Sequence, residues 1–346
     1  MSLERRLRAK GLEAFHNLTG LRKPSTRDIF ERVAYVFPDD LRVSRYPRRV
    51  CAAFNPGAVL KEEDLHVFPR LIFDYYGYVS SIGLFTVNVE ELLDGRVGKP
   101  LDASVVLWPK ELWEFKGCED ARVYDDGRET LVLYTGFGYH PKDGDLEVRW
   151  VQGLASLGDG WKPLKRGFFS IRGVEGEYIP KMKDSALLVK RGGEAILLCR
   201  PTFDDVEVCW RGLADLNPPV VDAETMEPVL APEEWEFKVG WSTNVLQLSS
   251  NEYMVGWHGV VKADYSYREG LAVLDSEGHL LAVSDYLLYP QGLVEEYGDR
   301  PLVVFGNGLV RYKEFILWVG GVSDYCIGFF KTEIEKTLEN LNWVSG

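Results

Sequence analysis

Short apolar runs alternate with polar turns along almost the whole chain, and five times a run opened by Asn or Asp turns and returns as a second apolar run. The opening residues are Asn55, Asp120, Asp184, Asn244 and Asn307, at intervals of 65, 64, 60 and 63 residues. A period of that size outweighs other fold signals, because each repeat must stack on its neighbours to bury its apolar face. The returning runs occupy 65–70, 130–135, 195–200, 253–258 and 315–320. Between them, Asp125-Asp126-Gly127, Arg191-Gly192-Gly193 and Ser249-Ser250-Asn251 supply the residues that tight strand reversals need. The pattern therefore predicts five β-hairpins. Runs such as Leu131 to Tyr134 and Ile196 to Cys199 are continuously apolar, as in strands covered on both faces. The spacing leaves room for two further strands per hairpin, giving four-stranded sheets packed radially about a channel. The fold expected is all-β: a five-bladed β-propeller over 50–330, a helical N-terminal arm over 1–49, and a C-terminal helix and tail over 331–346.

The second strand of a hairpin finishes where the first began. Asn55, Asp120, Asp184 and Asn244, with the closing residues Arg70, Arg200 and His258, are therefore expected at one mouth of the channel. Asp and Asn are also ordinary turn residues, so each alone says little. Their recurrence in every repeat is what points to a site.

Composition adds boundaries. The chain has 346 residues, of which 46% are apolar, enough for a sizeable core in one domain. No apolar run reaches the 18 or so residues of a spanning helix, and the first thirty residues lack a signal-peptide core. Neither a membrane partner nor secretion is expected. Five scattered cysteines without CxxC spacing suggest neither a disulfide framework nor a zinc site, and reduced thiols in a cytoplasm are the expectation. The five histidines are equally dispersed, so no metal site is expected.

The net charge of −13 is unevenly distributed. Residues 1–50 carry twelve Lys or Arg against six Asp or Glu, leaving 28 − 47 = −19 for the remainder. An acidic body argues against a nucleic-acid partner, which needs clustered cations. The basic arm forms a helix over 2–15 with Leu3, Leu7, Leu12 and Phe15 on one side, and docks on the acidic body of its own chain or of a neighbouring copy, the latter giving a homo-oligomer. Residues 331–341 read as a closing helix.

The chemistry concentrates in Gly117-Cys118-Glu119-Asp120-Ala121-Arg122. Two acids and an arginine at a strand start let one carboxyl stay ionised while burial keeps another protonated, which yields a proton donor. Arg122 could equally serve a structural pair with Glu119. The cations Arg70, Arg149, Arg200, Lys238 and His258 are less ordinary, since a neutral-sugar site seldom needs several, and they point to an anion with phosphate foremost. Aromatic rings flanking the mouth, Tyr139 and Trp241 among them, suit stacking on sugar faces.

The order Phe54-Asn55-Pro56, Arg70, Glu119-Asp120-Ala121-Arg122, Tyr134-Thr135, Lys183-Asp184, Arg200-Pro201, Lys238-Val239-Gly240, Trp257-His258-Gly259 and Gly320-Gly321-Val322-Ser323-Asp324 resembles glycoside hydrolase family 130. That family comprises mannoside phosphorylases and mannosidases built as five-bladed propellers. The resemblance implies that Asp120 is the general acid, acting through a hydroxyl of the bound mannose while phosphate attacks the anomeric carbon from the opposite face. Inversion of a β-mannoside then gives α-mannose 1-phosphate. It places Asn55, Arg70, Arg122, Asp184, Arg200 and Asp324 on the sugar, and Arg149, Lys238 and His258 on phosphate. Inorganic phosphate is a co-substrate, and no other cofactor is implied.

Three positions depart from the family pattern. Ala121 stands for a Pro, Leu302 for an Asn, and Trp241 lies in a stretch that is usually small, where it is expected to narrow the pocket. Inverting hydrolysis with Glu119 or Glu269 as base is the alternative reading, and a propeller that only binds glycans is the third.

Overall fold

The structure is a computed structural model describing residues 1–142 and 144–344. The chain is predominantly β, as the sequence predicts. All five hairpins form: Ala52–Lys61 with Asp64–Ile72, Gly117–Asp125 with Thr130–Lys142, Lys181–Arg191 with Glu194–Phe203, Glu236–Gln247 with Tyr253–Val261, and Val304–Tyr312 with Phe315–Val322. Each is antiparallel and gains a third strand on the side of its returning strand. A fourth strand then follows in each case, giving five units of at least four strands, the first two of which are linked by a single Ser80–Gly117 pairing.

Packing is between sheets. The first strands of successive hairpins lie against one another in order, and the fifth lies against the first. The approach is close: a Cβ on Gly308 would stand 2.6 Å from that of Ala58, and one on Gly57 would stand 2.6 Å from the Ala121 carbonyl oxygen. Outward from there, apolar side chains of adjacent sheets interdigitate. Val123, Val132 and Tyr134 of the second sheet, for example, meet Phe68 and Ile82 of the first.

The ends of the chain depart from the expected boundaries. Residues 31–36, assigned to the arm by the sequence, form a strand paired with Cys326–Glu333 and so complete the fifth sheet. Their alternating Val33, Tyr35 pattern was too short to stand out beside the repeats. The closing helix is confined to Ile334–Glu339, because 331–333 still belong to that sheet and Leu341–Trp343 adds to the fourth. No helix among the described residues is long and apolar enough to cross a membrane.

The N-terminal helix runs Leu3–Asn17, capped by Ser2, whose Oγ accepts from the Arg5 N–H. It buries Leu3, Leu7, Gly11 and Ala14 against the third sheet, whereas Leu12 is exposed. A spacing of three and four residues continues from Leu7 through Gly11 and Ala14, and Leu12 falls off that line. Its basic side chains meet the acidic body of the same chain: Arg6 with Glu175 (2.8 Å) and Glu224 (2.6 Å), Arg8 with Asp205 (2.6 Å), and Lys10 with Glu227 (2.7 Å).

Candidate active site

Strand bulges create the site. In the first three sheets the opening strand slips register against its partner after Phe54, Glu119 and Lys183. The next residue is left-handed in each: Asn55 at φ 45°, Asp120 at 52° and Asp184 at 56°. Asn and Asp tolerate that region because their short polar groups bond locally, and a bulge re-aims the side chain it carries. All three side chains turn into one cavity of about 320 Å³. The fourth and fifth opening strands also bulge, but neither Asn244 nor Asn307 is left-handed and neither reaches the cavity. Asn244 instead bridges to the neighbouring strand, accepting from the Leu309 N–H (2.8 Å) and donating to its carbonyl (2.9 Å).

One wall is acidic and tightly bonded. Asn55 Nδ2 donates to Asp120 Oδ1 (3.0 Å), and an Arg70 nitrogen lies 3.4 Å from the same oxygen. Arg70 also donates to Glu119 (2.9 Å) and to Ser80 Oγ (2.8 Å), and its guanidinium lies over the Phe54 ring. Two donors on Oδ1 leave Oδ2 of Asp120 to face a ligand. Burial pushes the Glu119 carboxyl above its usual range, with Arg70 opposing and Asp120 adding to the shift. Burial likewise raises Asp324 to about 6 against the pull of Arg70.

The rest of the charged lining is mostly cationic. Lys183, Lys238, Arg300 and His258 stand there together with Tyr267, whose ring lies 4.9 Å from the Lys238 ammonium and 4.5 Å from the Arg300 guanidinium. Burial, then repulsion from Arg200, lowers Lys238 to about 8 and depresses Lys183 in the same way. Among the described residues neither lysine nor Arg300 forms an ion pair. Burial also drives the His258 imidazole well below its ordinary value, despite the nearby Asp184 carboxylate.

Asp184 is held from beneath. Arg200 donates twice to its Oδ2 (2.9 and 2.7 Å), and Arg122 donates to its Oδ1 (3.1 Å). Burial works against ionisation here, but the two guanidinium groups outweigh it and hold the carboxyl well below the usual range. Arg200 continues to Glu207, and Arg122 to the carbonyls of Ser242 (2.8 Å) and Asp120 (3.0 Å). Both arginines are about 1% exposed and neither lines the cavity. They fix Asp184 and the backbone of Asp120 instead of touching a ligand.

Of the residues predicted from sequence, Asn55, Arg70, Asp120, Asp184, Asp324, Lys238 and His258 thus converge, while Arg122 and Arg200 lie one layer below. Arg149 is elsewhere: it donates to the Ile179 carbonyl (3.0 Å) and stands 3.8 Å from Glu147. Its neighbour Trp150 lines the cavity, and side chains alternate along a strand, so Arg149 faces the other way. Trp241 does not narrow the pocket. It is fully buried between sheets, and its indole donates to the Trp210 carbonyl (3.2 Å). Tyr139 packs on Phe115. Sequence reasoning missed Lys183, Arg300, Tyr267 and Trp150 as lining residues. Lys183 directly precedes Asp184 and was the most findable, whereas Arg300 lies outside the repeats and carries no local signal.

Comparison with known proteins agrees with this arrangement. Residues 20–343 match the family model described as beta-1,4-mannooligosaccharide phosphorylase. Among solved structures, the chain resembles the β-1,2-mannobiose phosphorylase from Listeria innocua at 16% identity and TM-score 0.67, covering 90% of this chain and 96% of that one. A mannose phosphorylase from Leishmania mexicana, in complex with phosphate ion, gives 14% identity and TM-score 0.60 over 99% of both chains. A glycosyl hydrolase from Bacteroides ovatus gives 15% identity and TM-score 0.63, covering 92% of this chain and 95% of that one. None of the curated proteins compared by sequence matches. With nearly its whole length covered by the family model and the acid and cationic walls assembled in one cavity, the chain belongs to glycoside hydrolase family 130 and is an enzyme of the mannoside phosphorylase and hydrolase kind.

Proposed function

We propose that the protein is a phosphorylase that cleaves a β-mannoside with inorganic phosphate and inverts the anomeric carbon, and that its five sheets are the blades of a five-bladed propeller. The cyclic order of contacts among the five opening strands supports the propeller. The cationic wall carries the functional reading. Lys183, Lys238 and Arg300 face the cavity with no ion pair among the described residues, and Asp184 beside them is already paired with Arg122 and Arg200, so three lining cations are left for a ligand. Fixed charge of that size suits a phosphate dianion brought against an electron-rich sugar; attack by water needs none of it.

In this reading the mannosyl ring lies between the two walls, with Asn55, Arg70, Asp184 and Asp324 on its hydroxyls. A phosphate oxygen held by Lys183, Lys238, Arg300 and His258 forms the new bond to the anomeric carbon as the glycosidic C–O bond breaks. The leaving oxygen takes a proton that originates on Asp120 and passes through a mannose hydroxyl. The products are α-mannose 1-phosphate and the shortened sugar, with Asp120 left ionised until it takes a proton from solvent. Hydrolysis by inversion would need a carboxylate base beside a water. Glu119 is engaged by Arg70 and Ser80, and Glu269 lies outside the cavity.

The test is incubation with β-1,2- and β-1,4-linked mannobioses, with and without phosphate. Sugar phosphate formed only when phosphate is present is the expected result. Release of free mannose at the same rate without phosphate would overturn the proposal.

A further inference from the structure

Behind the cationic wall, three adjacent strands of the fourth sheet carry Ser242, His258 and Glu269. His258 and Glu269 are direct cross-strand partners, so their side chains share one face of the sheet. Ser242 Oγ lies 3.0 Å from His258 Nδ1 and beside the Glu269 carboxyl. Glu269 itself has no solvent exposure. The Gly306 N–H donates to its Oε1 (3.3 Å), and its Oε2 has no partner at ordinary hydrogen-bond length among the described residues. The Glu269 backbone is bonded to the backbone of Leu287 and Leu288 on the neighbouring segment.

The charged groups that face Glu269 do not supply it with a counter-ion. Arg122 donates to Asp184, to the Asp120 carbonyl and to the Ser242 carbonyl, and Asp184 is itself an anion. A carboxylate left there without a partner would be costly, whereas a carboxylic acid needs only one acceptor for its O–H. Burial moves this carboxyl in that direction.

We propose that Glu269 is a neutral acid whose O–H is turned towards Ser242 Oγ, so that the Ser242 O–H donates to His258 Nδ1 and the imidazole carries its single proton on Nε2, facing the cavity. His258 Nε2 stands 4.0 Å from Asp184 Oδ2, at the inner edge of the cationic wall. Glu269 is thus a positioning residue: it acts through Ser242 to fix the tautomer and orientation of a neutral donor. His258 adds directionality to anion binding, and the positive charge comes from the lysines and arginines. The identity of the anion rests on the phosphorylase reading; the tautomer does not.

The experiment compares wild type, Glu269→Gln and Glu269→Leu. Gln keeps a donor for Ser242 and an acceptor for the Gly306 N–H, while Leu keeps neither. Long-range 1H–15N spectra of the imidazole, assigned by loss of the signal in His258→Gln, should show the Nε2–H tautomer in wild type and Glu269→Gln and a mixture in Glu269→Leu. In steady-state kinetics Glu269→Leu should raise KM for phosphate about tenfold with KM for the mannoside changed less than about twofold, and Glu269→Gln should restore the wild-type value. An Nδ1–H tautomer or an imidazolium in wild type overturns the relay. So does a Gln variant as impaired as Leu, which would mean that the carboxylate charge is required. Phosphate-independent turnover with the Nε2–H tautomer intact would overturn the phosphorylase reading and leave the relay standing.

Discussion

Lys238 offers the sharpest measurement of the cationic wall. Burial, together with Arg200 and Arg300, brings its ammonium down to about 8. A group with that pKa is about 90% protonated at pH 7 and about 10% at pH 9. If the charged form is what holds phosphate, affinity for the phosphate dianion falls about tenfold across that window. The sign of the linkage follows: phosphate raises the lysine pKa, so binding near pH 8 takes up about half a proton. Titration calorimetry in buffers of different ionisation enthalpy reads both quantities without turnover. Lys238→Arg, whose guanidinium stays charged, should flatten the profile to within about twofold. A wild-type dissociation constant unchanged between pH 7 and pH 9, or an equal loss in Lys238→Arg, would refute the reasoning.

Three further outcomes are expected. Asp120→Asn should lower kcat by about a thousandfold or more while leaving the melting temperature within about 2 °C; activity near wild type would remove the acid assignment. Arg149→Ala should leave KM for phosphate within about twofold, since its guanidinium serves the Ile179 carbonyl, and a tenfold rise would return it to the phosphate site. Arg200→Met leaves Asp184 and Glu207 without a shared buried cation and should cost about 3 kcal/mol in denaturant unfolding, with a loss below about 1 kcal/mol contradicting its anchoring role.

The hairpins were legible because turn chemistry and apolar runs are local properties of the chain. The acidic wall was legible for a related reason: Asn55, Asp120 and Asp184 occupy the same bulge in successive units, and repetition exposes a position that one copy would hide. Asn244 looked the same in sequence, yet its bulge extends from Trp241 to Val245 and its amide closes a gap to Leu309. Arg149 failed on parity, since one residue along a strand changes the face. Arg300 could not be found at all, because only the folded chain brings it over Tyr267. The strand at 31–36 was hidden by distance, as its partner lies almost three hundred residues away.

That pairing bears on how the molecule is made. The strand at 31–36 must wait for a partner made almost three hundred residues later, and until Cys326–Glu333 is synthesised it exposes unpaired backbone to any other nascent chain. Once joined, the two strands fasten each other like the tongue and buckle of a belt, so pulling the fifth sheet apart requires breaking that seam.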